Sequence, residues 1–487
     1  MASFPFSPWR LLRVGVVLFA LLAAAGLTWL GFGRLEGTAP TVTLQPAVPG
    51  AVGPATELTV TAEDAQTGVA RLRVDLLQAG REVSLLEETP GGGGIFGRGK
   101  TPRLSRKVGL DPRALGLAEG PAVLRIVVED ASWRRFGRGN LVELRFETRI
   151  DTRPPGIADR GPQTAVAPGG TGLAVYHLTE PCPTSGVRVG EEFFPGFGGL
   201  FPEDPRLHLA FFALPHDAAA PPAILLEAVD EAGNRAQIRL PFFFRKKTYR
   251  RDALPVTDAF IRQLLPEFEG LPLPAEAGLK EKFLWINRDL RGENYRAITA
   301  VTRRSRPEML WEGAFLRMPN SAQRAGFAER RTYLYEGRPI DQQDHLGIDL
   351  ASTAQAPVPA ANAGVVAFVG PMGIYGRTIL VDHGLGLFTM YSHLSETAVS
   401  PGERVAREQI LGRTGATGLA AGDHLHFSVL VHHRFVDPVE WWDPLWIREH
   451  VMQKIEVARG GAKAAPAAPP AEGSGGRPGA KRPVRGR

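Results

Sequence analysis

The sequence predicts a mainly β, multidomain chain set behind a single N-terminal membrane-spanning helix. Three observations predict it. One uncharged apolar run lies near the start, alternation of apolar and polar residues recurs over residues 40–245, and the 56 glycines and 41 prolines favour strands and turns over long helices. With 487 residues, of which 44% are hydrophobic and 22% charged, the chain is long enough for about two to four domains with buried cores. Neither a disordered chain nor a helix bundle fits this composition.

The apolar run, Val14–Gly33, holds 20 residues without a charge. At about 1.5 Å per residue it matches the roughly 30 Å hydrocarbon core of a bilayer. Arg10 and Arg13 precede it and Arg34 with Glu36 follows, so the positive-inside bias places the N-terminus in the cytoplasm and everything after about residue 34 in the periplasm or at the cell surface. A cleaved signal peptide, processed near Ala23–Gly26, is the alternative. The apolar run continues to Phe32, which favours an uncleaved anchor over residues 1–35.

Residues 36–150 and 151–247 read as two β modules. Leu58, Val60 and Ala62 alternate with threonines, and Val142, Leu144, Phe146 and Ile150 alternate with charged residues, so one face is buried and the other wet. Units of strand, acidic turn and strand recur at LTVTAEDAQTGVARLRV, LRIVVEDASWRRFGRGNLVELRF and ILLEAVDEAGNRAQIRL. That recurrence suits β-sandwiches and resembles the immunoglobulin-like modules of bacterial surface proteins. Turn chemistry explains the Asp/Asn-rich turns, with calcium binding as the alternative. The stretch Gly94–Thr101 fits the expression of a phosphate-binding loop, but Pro90 and a run of glycines precede it and Pro102 follows, which suits a hairpin tip rather than a strand-to-helix turn. Phe193, Phe194, Phe197 and Phe201 read as aromatic packing at a sandwich end.

Residues 248–310 read as a small helical connector, with helical spacing at Phe260, Ile261, Leu264 and Leu265 and again at Phe283, Leu284 and Ile286. At the other end, residues 447–487 read as a helix end and a disordered basic tail, with a binding arm for anionic wall or lipid as the alternative. The net charge is +6, and the stretch from Arg459 to Arg487 carries seven Lys/Arg against Glu472, which accounts for the whole excess. Because those charges lie in Ala/Pro/Gly-rich sequence rather than on a folded face, nucleic acid is not expected as a partner. Cys182 is the one cysteine, so no intramolecular disulfide and no cysteine-based metal site can form, and any metal must use histidines and carboxylates.

Residues 311–446 carry the chemistry. Four short stretches stand out: His345-Leu-Gly-Ile-Asp349, Tyr391-Ser-His393-Leu394, Gly415-Ala-Thr-Gly418 and His424-Leu-His426. Side chains two apart on a strand share a face, so His424 and His426 can enter one groove. Asp349 lies an even step from His345, and a turn through Gly347 would equally bring the two together. Two imidazoles and a carboxylate form a three-ligand set that leaves a fourth tetrahedral position open for water, the catalytic arrangement of zinc. His383 reads as structural, His432 and His433 as exposed, Tyr375 and Tyr391 as groove-lining or packed, and Trp441, Trp442 and Trp446 as an aromatic closure of the domain.

HLGID, GVV at Gly364–Val366, YSHL, GATG and HLHF, in this order over about Trp311–Asp443, resemble the pattern of the lysostaphin-type (LytM-like) zinc endopeptidases. The resemblance implies an antiparallel β catalytic domain, with His345, Asp349 and His426 as zinc ligands and His393 and His424 as the catalytic pair. It also implies peptidoglycan peptide stems as substrate, cut by metal-assisted amide hydrolysis. The alternative is a wall-binding, non-hydrolytic activator of another cell-wall hydrolase. In either reading the β modules offer surfaces to other cell-envelope proteins.

Overall fold

Alternation in the sequence becomes two-faced strands. In Thr56–Glu63, Leu58, Val60 and Ala62 point inward, as their spacing requires. The structure, a computed structural model, describes residues 8–54, 56–90, 101–273 and 276–460. Most of the phosphate-loop-like stretch and the basic tail lie outside the described residues. The chain divides into two compact units, one comprising Met1–Gly156, Glu180–Pro183 and Ala228–Ala236 and the other the remainder.

In the first unit, Thr56–Glu63 pairs antiparallel with Thr41–Gln45 and with Arg103–Leu110. A second sheet runs in the order Ala51–Val52, Leu141–Ile150, Gly120–Asp130, Val69–Gln78 and Arg81–Glu88. One hydrophobic core, including Leu58, Val60, Leu72, Val74, Leu124 and Ile126, joins the two sheets into a sandwich. Burying each such side chain contributes about 1.5–3 kcal/mol.

A 27-residue helix, Pro8–Arg34, precedes this sandwich, with the side chains of Val14, Val17, Phe19 and Leu22 exposed along it. Among the described residues, no helix is long and apolar enough to cross a membrane. This helix contains the uncharged run Val14–Gly33, and the spanning helix that the sequence predicts there is not supported by the structure.

In the second unit, Ile157–Asp159, Thr171–Leu178 and Leu207–Ala213 form an antiparallel sheet, and Thr184–Val189 pairs with Glu192–Pro195. Phe194 is buried, in keeping with a packing role for this aromatic loop. The connector holds the expected helices, Asp258–Leu264 and Leu279–Trp285, the latter running on through a π-helical turn into Arg291–Thr302. It also begins with a strand that its helical spacing did not announce. Arg251–Val256 pairs parallel with Glu329–Tyr335, which pairs antiparallel with Arg338–His345. Phe283 packs against Tyr333, so the connector shares a core with the region that leads to the site.

The site itself stands on an eight-stranded, antiparallel sheet. From one edge its order is Ala322–Ala325, Ile348–Ala351, Leu425–Val431, Leu387–Ser392, Arg377–Gly384, Gly364–Pro371 and Arg404–Val405, with Arg434–Val436 also paired to Leu425–Val431. His383 is structural as expected, fully buried between the Ala363 carbonyl and the Thr389 hydroxyl. Tyr391 is packed, its hydroxyl accepting from the Ala361 N–H. Trp441 closes the domain against Trp311, Phe315 and Trp446. The expectation for His432 is corrected. It is 5% exposed and its ring stacks on Phe197, while His433 is half-buried against Phe194. A histidine has apolar faces, and aromatic neighbours brought from distant sequence cover them.

Candidate active site

Register places the first pair. Asp349 and His426 face each other on adjacent antiparallel strands, Ile348–Ala351 and Leu425–Val431. His345 is the last residue of Arg338–His345, and the chain turns through Leu346 and Gly347 before Ile348, so the turn, not a continuous strand, brings His345 to Asp349. Gly347 is required there because a Cβ would stand 2.5 Å from Nε2 of His426 and 2.6 Å from the Ser428 hydroxyl. His424 and His426 enter the same groove, as i and i+2 spacing predicts, with His424 held by a bridge to Gly415.

Three atoms converge. Nε2 of His345 lies 2.9 Å from Oδ1 of Asp349 and 3.0 Å from Nδ1 of His426, and that Nδ1 lies 2.9 Å from the same carboxylate oxygen. The remaining ring nitrogens fix the tautomers. Nδ1 of His345 donates to the Gly326 carbonyl at 2.8 Å. Nε2 of His426 donates at 3.1 Å to the Ser428 hydroxyl, whose own proton goes to the Leu346 carbonyl. Each ring therefore turns a lone pair toward the carboxylate, and three acceptors stand in mutual contact with no proton to share. Such an arrangement is repulsive until a cation fills it, and two nitrogens with one oxygen suit zinc. The residues present therefore fit the metal that their sequence pattern implies.

The two other histidines stand beside this cluster. Rings of His393 and His424 are 4.8 Å apart, and His393 lies 5.7 Å from the His426 ring. His393 takes up a left-handed backbone conformation at φ +62° and donates from Nδ1 to the Thr417 carbonyl at 2.8 Å. His424 donates from Nδ1 to the Gly422 carbonyl at 2.8 Å. Both neutral rings thus present an Nε2 lone pair to the cleft.

Electrostatics separates the group. Burial pushes His393 down to about 3, helped by charge on His424 and His426, and pushes His426 down to about 4. Burial also works against ionisation of Asp349, but when the neighbouring rings carry protons, the charge of His345 and the bonds donated by His345, His424 and His426 outweigh it and hold the carboxyl well below its usual range. Burial opposes charge on His424, but Asp349, whose Oδ1 lies 3.6 Å from Nε2, attracts the protonated ring more strongly, so His424 is raised.

Other residues complete the site without a motif to announce them. Arg331 places Nη2 3.2 Å from Oδ2 of Asp349, the oxygen turned away from the histidines. Leu254 and Phe260 from the connector and Tyr375 from the 3-10 turn Gly373–Tyr375 line a cleft of about 330 Å³ over the histidine cluster. Ser428 had a readable signal, since it lies two residues beyond His426 on the same strand face. Arg331 had none, because nothing in its local sequence marks it as a partner of Asp349.

Known proteins are similar to parts of this chain. Among solved structures, similarity extends to a crystal structure of an M23 peptidase from Pseudomonas aeruginosa (TM-score 0.37, 24% identity, 57% of this chain and 95% of that one). It extends also to the catalytic domain of lysostaphin from Staphylococcus simulans (TM-score 0.24, 25% identity, 27% of this chain and 98% of that one). In sequence, 95 residues, 20% of this chain, are 37% identical to the DD-carboxypeptidase/endopeptidase Mpg of Neisseria meningitidis serogroup B. Over 133 residues, 26% of this chain, the identity is 36% to the peptidoglycan DD-endopeptidase ShyB of Vibrio cholerae. These alignments span 22% and 30% of the two relatives' own lengths. Residues 343–438 match the profile of Peptidase family M23, and the four motif histidines and the aspartate-bearing turn described above all fall between them: this segment of the chain is a Peptidase family M23 domain.

Proposed function

We propose that the chain is a zinc metalloendopeptidase that hydrolyses peptide cross-links of peptidoglycan, held at the membrane through the uncharged run Val14–Gly33 with the remainder outside the cytoplasm. The observation that carries the reading is the triangle of acceptor atoms on His345, Asp349 and His426, with two further imidazoles turned toward the same cleft. Relatives named as peptidoglycan endopeptidases support the choice of substrate. The uncharged run Val14–Gly33 and its flanking arginines support the anchor.

His345, Asp349 and His426 would hold the zinc ion, which when bound supplies Lewis acidity toward a water molecule and the scissile carbonyl. The chain's own groups then handle the proton. His393 and His424 each offer an Nε2 acceptor, and the ring that takes a proton from the attacking water becomes the donor that returns it to the leaving amine nitrogen. Their Nδ1 bonds to backbone carbonyls keep both rings oriented throughout. Arg331 holds the outer oxygen of Asp349, so the inner one stays aimed at the cluster.

Mass analysis of defined cross-linked muropeptides incubated with the zinc-loaded full chain tests the reading. Release of the two peptide products, lost in His345→Ala, is the expected result. Intact substrate in the presence of stoichiometric zinc would favour a wall-binding protein without turnover.

A further inference from the structure

Glu36, Asp64 and Asp130 bring three carboxylates together in the first unit, where the chain enters the sandwich. Glu36 follows the helix Pro8–Arg34, Asp64 opens the turn after Thr56–Glu63, and Asp130 ends Gly120–Asp130. They are 8%, 5% and 2% exposed, and one oxygen from each lies within 4.8 Å of the others.

Hydrogen bonds satisfy only part of this group. Oδ1 of Asp64 accepts the backbone N–H groups of Gln66, Thr67 and Gly68 at 3.0, 2.8 and 2.7 Å. Asp130 accepts from the backbone of Ser132 and from the backbone and side chain of Asn140. Oε1 of Glu36 accepts the Thr67 hydroxyl at 2.8 Å, whereas Oε2 is buried with no partner at all. Among the described residues, no lysine, arginine or histidine forms an ion pair with any of the three. The same sandwich treats another buried carboxylate differently: Asp75 is fully enclosed and met by Arg73 at 2.8 Å and Arg125 at 2.7 Å. Arg73 and Arg125 meet Asp75 together with Glu82, whereas among the described residues no such cation meets the three carboxylates.

We propose that Glu36, Asp64 and Asp130 hold a calcium ion. Every donor is an oxygen, which selects a hard cation over zinc. Calcium rather than magnesium suits a site built from several protein carboxylates, since magnesium usually keeps several waters and takes only one or two carboxylates. The ion gives the orphaned Glu36 oxygen a partner, neutralises most of the buried charge and ties the entering chain to two strands of the sandwich. Asn140 reinforces that tie, its amide donating to the Glu36 carbonyl as well as to Asp130. The arrangement has a counterpart at Asp151, Glu180 and Asp230, where the Asn234 amide donates to the Asp151 carbonyl and to Asp230.

Equilibrium dialysis of the zinc-saturated full chain against calcium at up to about 1 mM, the range of extracellular modules, tests the assignment. Glu36→Gln and Asp64→Asn should each remove one bound calcium per chain, with zinc content unchanged. The thermal transition of the native chain should also rise between a calcium chelator and saturating calcium, and Glu36→Gln, the mildest change at the site, should lose that rise. Absence of calcium binding by the native chain overturns the proposal. So does binding by both variants equal to that of the native chain, which would leave a shared proton to hold the cluster together.

Discussion

Ser428 fixes which nitrogen of His426 faces Asp349 and His345: its hydroxyl donates to the Leu346 carbonyl at 2.8 Å and accepts Nε2–H of the imidazole at 3.1 Å. With that proton placed, the Nδ1 lone pair has one direction left, toward Asp349 and His345. Ser428→Ala removes the acceptor and lets the ring sample the other tautomer. Zinc affinity should fall about 10- to 100-fold, the usual cost of losing a partner behind a ligand. Competition with a chromophoric chelator measures it, and an unchanged affinity would show that strand register alone orients the ring.

The two classes of histidine should separate by metal content. His345→Ala or Asp349→Ala opens the acceptor triangle, so zinc and peptide hydrolysis should disappear together. His393→Ala leaves that triangle intact and removes an Nε2 acceptor that makes no contact with Asp349. Metal content should stay near one per chain while turnover falls by about 10²–10⁴-fold, the contribution typical of a positioned acid or base. Equal zinc loss in all three variants would place His393 among the ligands.

Gly418 controls His393 from a distance. Its backbone sits at φ +75°, and a Cβ there would come within 2.4 Å of the Gly376 nitrogen and 2.6 Å of the Ile374 carbonyl. The neighbouring residue is Thr417, whose carbonyl receives the Nδ1 proton of His393. Gly418→Ala must therefore shift this loop and turn the imidazole. Turnover should drop at least about tenfold with zinc content unchanged, which metal analysis alongside muropeptide release would reveal. A fully active variant would mean that the ring is held by its own strained backbone instead.

Local sequence carried the parts of this molecule that depend on short-range periodicity. Alternation announced Leu58, Val60 and Ala62, and the i and i+2 spacing of His424 and His426 announced a shared groove, because strand geometry acts over two residues. The ambiguity at His345 and Asp349 was also local, and only the strand boundaries around Gly347 resolved it in favour of a turn. What escaped were contacts between residues far apart in the chain. Arg331 reaches Asp349 from a strand of a different sheet, Arg251–Val256 finds a parallel partner some eighty positions later, and His432 is covered by Phe197 from another module. Each depends on tertiary register, to which no nearby residue bears witness. The Glu36, Asp64 and Asp130 cluster belongs to the same class, since each acid taken alone looks like an ordinary turn residue.

Lys454 provides a stability prediction away from the cleft. It lies 6% exposed in the helix Gln453–Arg459, its ammonium donating to the Leu173 carbonyl at 2.7 Å, and burial pushes it from 10.5 down to about 8 despite the opposing charge of Asp159. A lysine lowered in the folded state binds its proton more weakly there than in the unfolded chain. The penalty is therefore fully present below pH 8 and relieved as pH rises toward 10.5, so this residue makes stability increase across that window. The difference corresponds to about 3 kcal/mol. Lys454→Met abolishes the charge but strands the Leu173 carbonyl, at a cost of about 1–3 kcal/mol, so the two effects largely offset at neutral pH. The slope is the cleaner signature. Urea unfolding followed by tryptophan fluorescence should show the native chain gaining stability between pH 8 and 10.5 relative to Lys454→Met, and parallel profiles for the two proteins would mean that the ammonium keeps its ordinary affinity for the proton in the fold.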